Sequence, residues 1–542
     1  MSEKPFAITL DIATSKTNLT GTWRTERPLY VDLMPPCNDA CPAGENIQGW
    51  LYHAESADYE QAWRQIMVDN PLPAVMGRIC YHPCETACNR AQVDEAVGVH
   101  SIERFLGDQA IANGWSITVD SAPTGKRVLV VGSGPCGLSA AYQLRRYGHD
   151  VTIIDAESEL GGMMRYGIPQ YRLPRSVLDA EIARLVALGI TVRSGTRVDD
   201  LDATMKAENA DAVLLAVGAQ VSKHADIPAG DSARIVDAIA LLHDTNAAEQ
   251  RPSIGRRVIV YGGGDTAMDA ARTAKRLGAT DTVIVYRRNR EKMPARSEDL
   301  EAAIAEGVRV QWLSTITATD GEHVTVEKMR LDESGFPQPT GEFEELDADT
   351  VVLALGQDVD LRLLDQVTDI EVRDGAVMVG SDQMTGHPGI FAGGDMTAGH
   401  RTATTAIGHG KRAARTIDAW LRDAQWTAPP RPALATSDRL NTWYYSDAPP
   451  SVQPQLEAAR RASTFDEIDA GLDESTALFE ARRCLSCGNC FGCDNCYGVC
   501  PDNAVIKLGN GSYAFDFDHC KGCGLCVAEC PCGAIDMVPE QT

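Results

Sequence analysis

The nine cysteines between residues 490 and 532 leave a chain like this few ways to fold. Eight of them form two copies of CxxCxxCxxxCP: Cys490, Cys493, Cys496 and Cys500 with Pro501, then Cys520, Cys523, Cys526 and Cys530 with Pro531. Three thiolates separated by two residues each wrap one corner of a cubane cluster, while the fourth, turned away by its proline, reaches the neighbouring cluster. The spacing predicts two [4Fe–4S] clusters, one held by Cys490, Cys493, Cys496 and Cys530, the other by Cys520, Cys523, Cys526 and Cys500. The alternatives are structural zinc and disulfides. Zinc needs only four ligands and favours paired CxxC units, and disulfides give no reason for a doubled proline-terminated run. A chain with such clusters moves single electrons.

With 542 residues there is room for three or four domains, and 44% hydrophobic content permits ordinary cores. Fifty basic against 76 acidic residues give a net charge of −26, which argues against nucleic acid or an anionic membrane as partner. The amino terminus, MSEKPFAITLDIATSKT, lacks the pattern of a secretory leader, and no run is long enough to insert into a bilayer. The expectation is a cytoplasmic protein, where 17 cysteines are metal ligands rather than a disulfide scaffold.

Residues 128 to 155 read as strand, glycine turn, helix and strand, with Gly132, Gly134 and Gly137 as GxGxxG and Asp155 ending the second strand, where a ribose hydroxyl would be received. The glycines let the backbone approach a pyrophosphate resting on the helix amino terminus. Residues 258 to 288 repeat the plan, with Gly262, Gly263 and Gly264 followed by Asp265 and Thr266 at the helix start. Here the second strand ends in Arg287 and Arg288. Guanidinium groups accommodate a 2′-phosphate, so NADPH is favoured over NADH; the bland alternative is an arginine that only pairs with a surface acid. Two such folds imply two nucleotides, one FAD and one nicotinamide. Cys136, the sole cysteine between Cys88 and Cys484, cannot cycle as a dithiol, so disulfide reduction is disfavoured and a packing role expected.

Several stretches together resemble the glutamate synthase small-subunit family of flavoproteins, which includes the amino-terminal half of dihydropyrimidine dehydrogenase: ELGGMMRYGIPQYRLP (159 to 174), LLAVGA (214 to 219), YGGGDTAMDAART (261 to 273), VYRRNREKMPA (285 to 295) and GIFAGGDMTAGHRTATTAIGHGKRAA (389 to 414). The resemblance implies that FAD is held by Gly132, Gly134, Gly137, Asp155, the Gly161–Gly162 turn, Gly167, and Gly394 with Asp395, Thr402 opening a helix beside it. It also implies that the nicotinamide domain is inserted into the FAD domain.

The same family carries an amino-terminal helical domain with two clusters. Its signature is only partly present: Cys37, Cys41 with Pro42, Cys80, Cys84, Cys88 and HSIERF at 100 to 105, without the upstream CxxCG pair. RCLSCG at 483 to 488 looks like that lost segment transplanted to the start of the ferredoxin region. One amino-terminal cluster is therefore expected to be completed across the chain by Cys37, Cys88, Cys484 and Cys487. The other would use Cys41, Cys80, Cys84 and, where relatives have Gln or Glu, Glu103. This allocation leaves over only Cys136 and Cys532 of the 17 cysteines. The alternatives are that Cys484 and Cys487 bind nothing or belong to a shifted ferredoxin frame, and that Glu103 is a solvated helix-face glutamate.

The expected fold is multidomain α/β: a helical iron–sulfur domain (1–120), a Rossmann-like FAD domain (121–255 and 346–420), an inserted Rossmann-like NAD(P) domain (256–345), an arm with proline-rich stretches (421–482) and an α+β bacterial-ferredoxin-like domain (483–542). Trp443, Tyr444 and Tyr445 would anchor the arm, on its own protein ahead of a partner. The expected function is an NAD(P)H- and ferredoxin-type electron-transfer subunit, in which FAD exchanges hydride with NAD(P) and single electrons with clusters that lead to a separate catalytic partner or a ferredoxin. A 2-oxoacid:acceptor oxidoreductase is an example of such a partner. The alternatives are a free-standing NADPH:ferredoxin oxidoreductase, a glutamate synthase small subunit, and a non-catalytic iron–sulfur scaffold.

Overall fold

The structure, a computed structural model, describes residues 19–22, 24–229, 234–247 and 251–540, so the amino-terminal stretch inspected for a leader lies outside the described residues. Six short helices from Pro36–Ala40 to Val99–Asn113 build the amino-terminal domain around Trp50, Trp63 and Ile66, all fully buried. Two glycines set its tightest contact. A Cβ on Gly77 would lie 2.4 Å from the Arg104 backbone nitrogen and one on Gly107 2.3 Å from that of Ala74, so helices Pro73–Ile79 and Val99–Asn113 touch backbone to backbone. This domain shares one continuous apolar core with the first nucleotide fold, through residues such as Leu106, Leu138 and Ile407.

The first nucleotide fold is a five-stranded parallel sheet in the order Ile390–Ala392, Ala212–Leu215, Arg127–Val131, Asp150–Ile154, Thr191–Arg193. Its central strand is buried on both faces, Val128 and Val130 toward the amino-terminal domain and Leu129 and Val131 toward a second core, which is why VLVV shows no alternation. The second sheet, also parallel, runs Arg309–Trp312, Asp281–Tyr286, Arg257–Tyr261, Thr350–Leu353, Ile235–Asp237. It is wider than the 256–345 expected from sequence, because Val352 and Val236 lie opposite each other as strand partners on its far side. An antiparallel meander, Ser314–Thr319, His323–Leu331 and Pro337–Asp347, covers one face.

The carboxy-terminal module holds helices Asn495–Val499 and Leu525–Ala528 and the hairpin Val505–Lys507 with Tyr513–Phe515. Its last strand, Ile535–Pro539, pairs antiparallel with Glu26–Tyr30 from the other end of the chain. The amino-terminal segment thus belongs partly to the ferredoxin-like module, not wholly to the helical domain. The arm packs on its own protein: Glu467 bridges Arg78 (2.7 Å) and Arg104 (2.9 Å), and Arg276 Nε donates to the Thr464 carbonyl (3.0 Å). Of the aromatic trio, the Tyr444 hydroxyl bonds Glu529 and Tyr445 sits against Arg90, while Trp443 is 88% exposed.

Arg483 fastens the two ends of the structure together. Its guanidinium donates to the carbonyls of Glu95 (2.6 Å), Ala96 (3.0 Å) and Ala448 (2.9 Å) and pairs with Glu480 (2.5 Å) and Asp94 (3.2 Å). Glu480 is itself fully buried and caps Gly98 N and Ser451 N. Arg483→Met would leave that carboxylate without its cation, an expected loss of about 3–5 kcal/mol of stability, measurable as a lowered urea midpoint.

Candidate functional site

The first glycine loop and the start of the helix after the second meet across one open cleft. Gly132, Gly134, Asp155, Gly162, Gly167, Gly394, Asp395 and Thr402 line one side, and Asp265 and Thr266 face them from the other. Gly137, Gly161 and Gly262 to Gly264 are not part of this lining. A Cβ on Gly137 would come 1.9 Å from the Gly132 carbonyl oxygen, so this glycine seats helix Pro135–Arg146 on the turn beneath it.

Helices Pro135–Arg146 and Asp265–Arg276 start at Gly134 and Gly264, and neither first turn has a side-chain cap. A Cβ on either glycine would meet nothing within 4 Å. Each loop therefore presents uncapped N–H groups to open space at the positive end of a helix, the donor set a pyrophosphate needs. Asp155 is already tied to the first loop, accepting from Ser133 N (2.6 Å) and Ser133 Oγ (2.5 Å) and, through its other oxygen, from Glu157 N (2.9 Å). That network fixes the carboxylate while lone pairs remain for a ribose hydroxyl. On the back wall Gly394 N donates to His409 Nδ1 (3.1 Å), and burial, then the charge of Arg412, pushes His409 down to about 4, so the imidazole is a neutral acceptor. Thr402 caps helix Ala403–Leu421 by accepting from Thr405 N (3.1 Å).

At the end of Asp281–Tyr286, Arg287 is exposed and Arg288 half-buried. Among the described residues neither makes an ion pair, and Arg288 Nε is a buried donor without a partner. The surface-acid alternative thus finds no acid, and the orphaned donor fits an anionic ligand group. Sequence reading missed Tyr81, whose hydroxyl reaches from the amino-terminal domain to Asp265 Oδ2 (2.7 Å) while Asp265 Oδ1 accepts from Arg296 N (3.1 Å). An aromatic following a cysteine carries no pattern by which to find it.

The cysteines form four groups. Cys37, Cys88, Cys484 and Cys487 line a single cavity, and burial followed by the charges of Cys484, Cys88 and Cys487 raises the Cys37 thiol well above its usual range. Burial, then Glu85, Cys80 and Cys41, does the same to Cys84. Cys500, Cys520, Cys523 and Cys526 surround another cavity. Cys490, Cys493, Cys496 and Cys530 influence one another's ionisation, with burial as the first cause at Cys490, Cys493 and Cys496 and the contact from Cys532 the first at Cys530, which is lowered to about 6. Crowded thiols are a donor set for a cationic centre, and such a centre makes them ionise. No disulfide joins any of these cysteines. Glu103 lies beside Cys41 and Cys80 and is fully inside; burial, then Glu45, raises its carboxyl well above the usual range. It also accepts from Asn70 Nδ2 (2.7 Å), which donates as well to Glu45 (3.0 Å). Glu45 and Asn70 were not foreseen, since neither falls in a cysteine motif.

The cleft and the cysteine groups touch. Ile79, Tyr81 and Thr404 line the cleft, and Thr404 Oγ1 donates to Cys80 Sγ at 3.0 Å. Farther along, Gly488 N, next to Cys487, donates to the carbonyl of Cys532 (2.6 Å) within the ferredoxin-like module. Among the described residues no helix is long and apolar enough to cross a membrane.

Residues 126–410 match the pyridine nucleotide-disulphide oxidoreductase family, residues 21–115 match dihydropyrimidine dehydrogenase domain II with its 4Fe-4S cluster, and residues 489–534 match a 4Fe-4S dicluster domain. The chain is 35% identical over 506 residues to the NADP(+)-dependent formate dehydrogenase subunit beta of Moorella thermoacetica, covering 83% of this chain and 70% of the relative. It is 32% identical to the NADPH-Fe(3+) oxidoreductase subunit beta of Geobacter sulfurreducens (83% and 75%), and 34% identical to the NAD-dependent dihydropyrimidine dehydrogenase subunit PreT of Escherichia coli K12 (72% and 92%).

Proposed function

We infer that this chain, which belongs to the pyridine nucleotide-disulphide oxidoreductase family and is an NAD(P)-dependent flavin iron–sulfur oxidoreductase, serves as the NADPH-linked electron-transfer subunit of a cytoplasmic complex. The cleft lined by Gly132, Gly134, Asp155, Gly394 and Asp395 would hold FAD, which would supply hydride exchange with a nicotinamide and single-electron exchange with clusters. The residues of this chain supply the rest. The Gly134 loop and the helix start at Gly264 would hold the two pyrophosphates, Gly134 from one wall of the cleft and Asp265 and Thr266 entering it from the other. Tyr81, bonded to Asp265, holds the nicotinamide wall against the amino-terminal domain. Arg287 and Arg288 bind the 2′-phosphate.

The clusters would stand in the order of contact: Cys41, Cys80, Cys84 and Glu103 beside the cleft; then Cys37, Cys88, Cys484 and Cys487; then Cys490, Cys493, Cys496 and Cys530; and last Cys520, Cys523, Cys526 and Cys500. The observation carrying this reading is the shared cavity of Cys37, Cys88, Cys484 and Cys487, because it joins an amino-terminal cluster to the ferredoxin-like module. Electrons leave from that module to a catalytic partner subunit. The three relatives carry formate dehydrogenase, NADPH-Fe(3+) oxidoreductase and dihydropyrimidine dehydrogenase in their names, and a partner of that oxidoreductase class fits.

Anaerobic stopped-flow with NADPH tests the reading: flavin and cluster absorbance are expected to bleach within the turnover time measured with an artificial acceptor. Clusters that stay oxidised while the flavin bleaches would reduce them to scaffolding. Changing both Arg287 and Arg288 to alanine is expected to raise KM for NADPH by about 10–100-fold, at about 1.4 kcal/mol per decade for each lost charged contact, and to leave NADH turnover unchanged. Equal losses with both nucleotides would remove the arginines from phosphate recognition.

A further inference from the structure

Tyr30 ends the amino-terminal strand Glu26–Tyr30, opposite Ile535 of the carboxy-terminal strand. Its ring lies on Phe515, centroids 4.6 Å apart and planes 15° from parallel, and its hydroxyl is 3.3 Å from Cys496 Sγ. A thiolate sulfur has no proton to give, so at this distance the phenol O–H is the donor and the sulfur the acceptor. The strap leading to it is pinned. Thr20 Oγ1 (2.7 Å) and Arg24 Nη1 (2.8 Å) both donate to the Cys520 carbonyl, and Arg24 Nε donates to Glu540 (2.5 Å). A residue nearly the length of the chain away from its target is therefore held in hydrogen-bond register with one cysteine sulfur.

We propose that Tyr30 is a positioning residue of the Cys490, Cys493, Cys496 and Cys530 cluster, its hydroxyl raising the potential of that cluster above the value the cysteines alone would give. One electron enters, no bond is broken and the phenol keeps its proton. Reduction adds negative charge that spreads onto the thiolates, so a hydrogen bond to sulfur stabilises the reduced form more than the oxidised one. The cluster so favoured holds the electron within the module at the point where the amino-terminal relay delivers it. This inference rests on the assignment of Cys496 as a ligand made under Proposed function.

The test is a potentiometric titration of the anaerobically purified full chain, followed by electron paramagnetic resonance, in wild type and Tyr30→Phe. The variant keeps the ring on Phe515 and removes only the hydroxyl. Its reduction equilibrium is expected to fall about tenfold for this cluster, which is a midpoint lower by about 59 mV for one electron. The other midpoints and the iron and sulfide contents are expected to stay at wild-type values. An unchanged midpoint, or an equal shift of every cluster, overturns the proposal, because the first means no coupling and the second a general loosening. If the variant loses iron, resonance Raman spectra of wild type in H2O and D2O decide: terminal Fe–S stretching bands of this cluster that do not move on exchange also overturn it. Cys496→Ala separates the underlying assignment. Iron content unchanged in that variant refutes the ligand reading whatever Tyr30→Phe shows, whereas loss of one cluster with a silent Tyr30→Phe refutes the tyrosine alone.

Discussion

Cys487→Ala is expected to leave NADPH reduction of the flavin intact and to cut electron delivery to an outside acceptor by more than about 100-fold, since even partners beyond the ligand shell cost about 10–100-fold. Cys487 lines the cavity it shares with Cys37, Cys88 and Cys484, and Asn89 donates to its sulfur at 3.5 Å. Removing one of four thiolates from a cubane should cost the whole cluster, so iron content is expected to fall by about a quarter of a four-cluster total. The split between the two half-reactions is the diagnostic result. A general folding defect would lower both, whereas a broken relay lowers only the second. Full iron content with undiminished acceptor reduction would detach Cys487 from the relay and return the RCLSCG segment to a structural role.

Gly137→Ala is expected to have an effect of similar size on the other side of the flavin. The added methyl would sit 1.9 Å from the Gly132 carbonyl oxygen and 3.2 Å from Val130 Cγ1, and neither the glycine turn nor the central strand can yield without opening the cleft. Overpacking of this kind costs about 1–3 kcal/mol, and if it falls on the nucleotide-binding conformation, flavin retention weakens by up to about 100-fold. The measurement is the ratio of bound flavin to protein after gel filtration, with released flavin counted by fluorescence. Retention equal to wild type would mean that the helix can shift without disturbing the phosphate-binding turn.

The parts of the molecule legible in its sequence are those in which a short stretch carries its own chemistry. The doubled CxxCxxCxxxCP and the two glycine loops state a geometry within a dozen residues each, and Gly132, Gly134, Asp155, Gly162, Gly167, Asp265, Thr266, Gly394, Asp395 and Thr402 line one cleft. Cys484 and Cys487 stood out for a different reason: the ferredoxin frame had no place for them and the amino-terminal signature lacked a pair, and they lie with Cys37 and Cys88 around one cavity. Glu103 stood out only through family resemblance, and its bond to Asn70 shows how much a helix-face pattern leaves out. The illegible features are pairings across the whole chain. Nothing in ERPLY says that it will lie against IDMVP, because two five-residue strands with many other candidate partners carry no register until the rest is folded. Arg483 gives no periodic signal either, although it joins Asp94 to Ala448 and holds the cysteine pair beside it in place. The second sheet extends past its expected boundaries for the same reason: a short strand such as Ile235–Asp237 is recruited by an exposed edge, not announced by composition.

The pairing of the two chain ends imposes a timetable on the birth of the protein. Thr20 and Cys520, bonded in the finished molecule, are 500 residues apart, so at ribosomal rates the first waits about 25–100 s before the second exists. Once residue 392 is made the nucleotide folds have all their strands and can close, while the last module still lacks an edge. Metal delivered to that module before residue 535 exists would meet a half-made sheet. A nascent chain stalled short of residue 535 should therefore carry flavin but no complete pair of carboxy-terminal clusters.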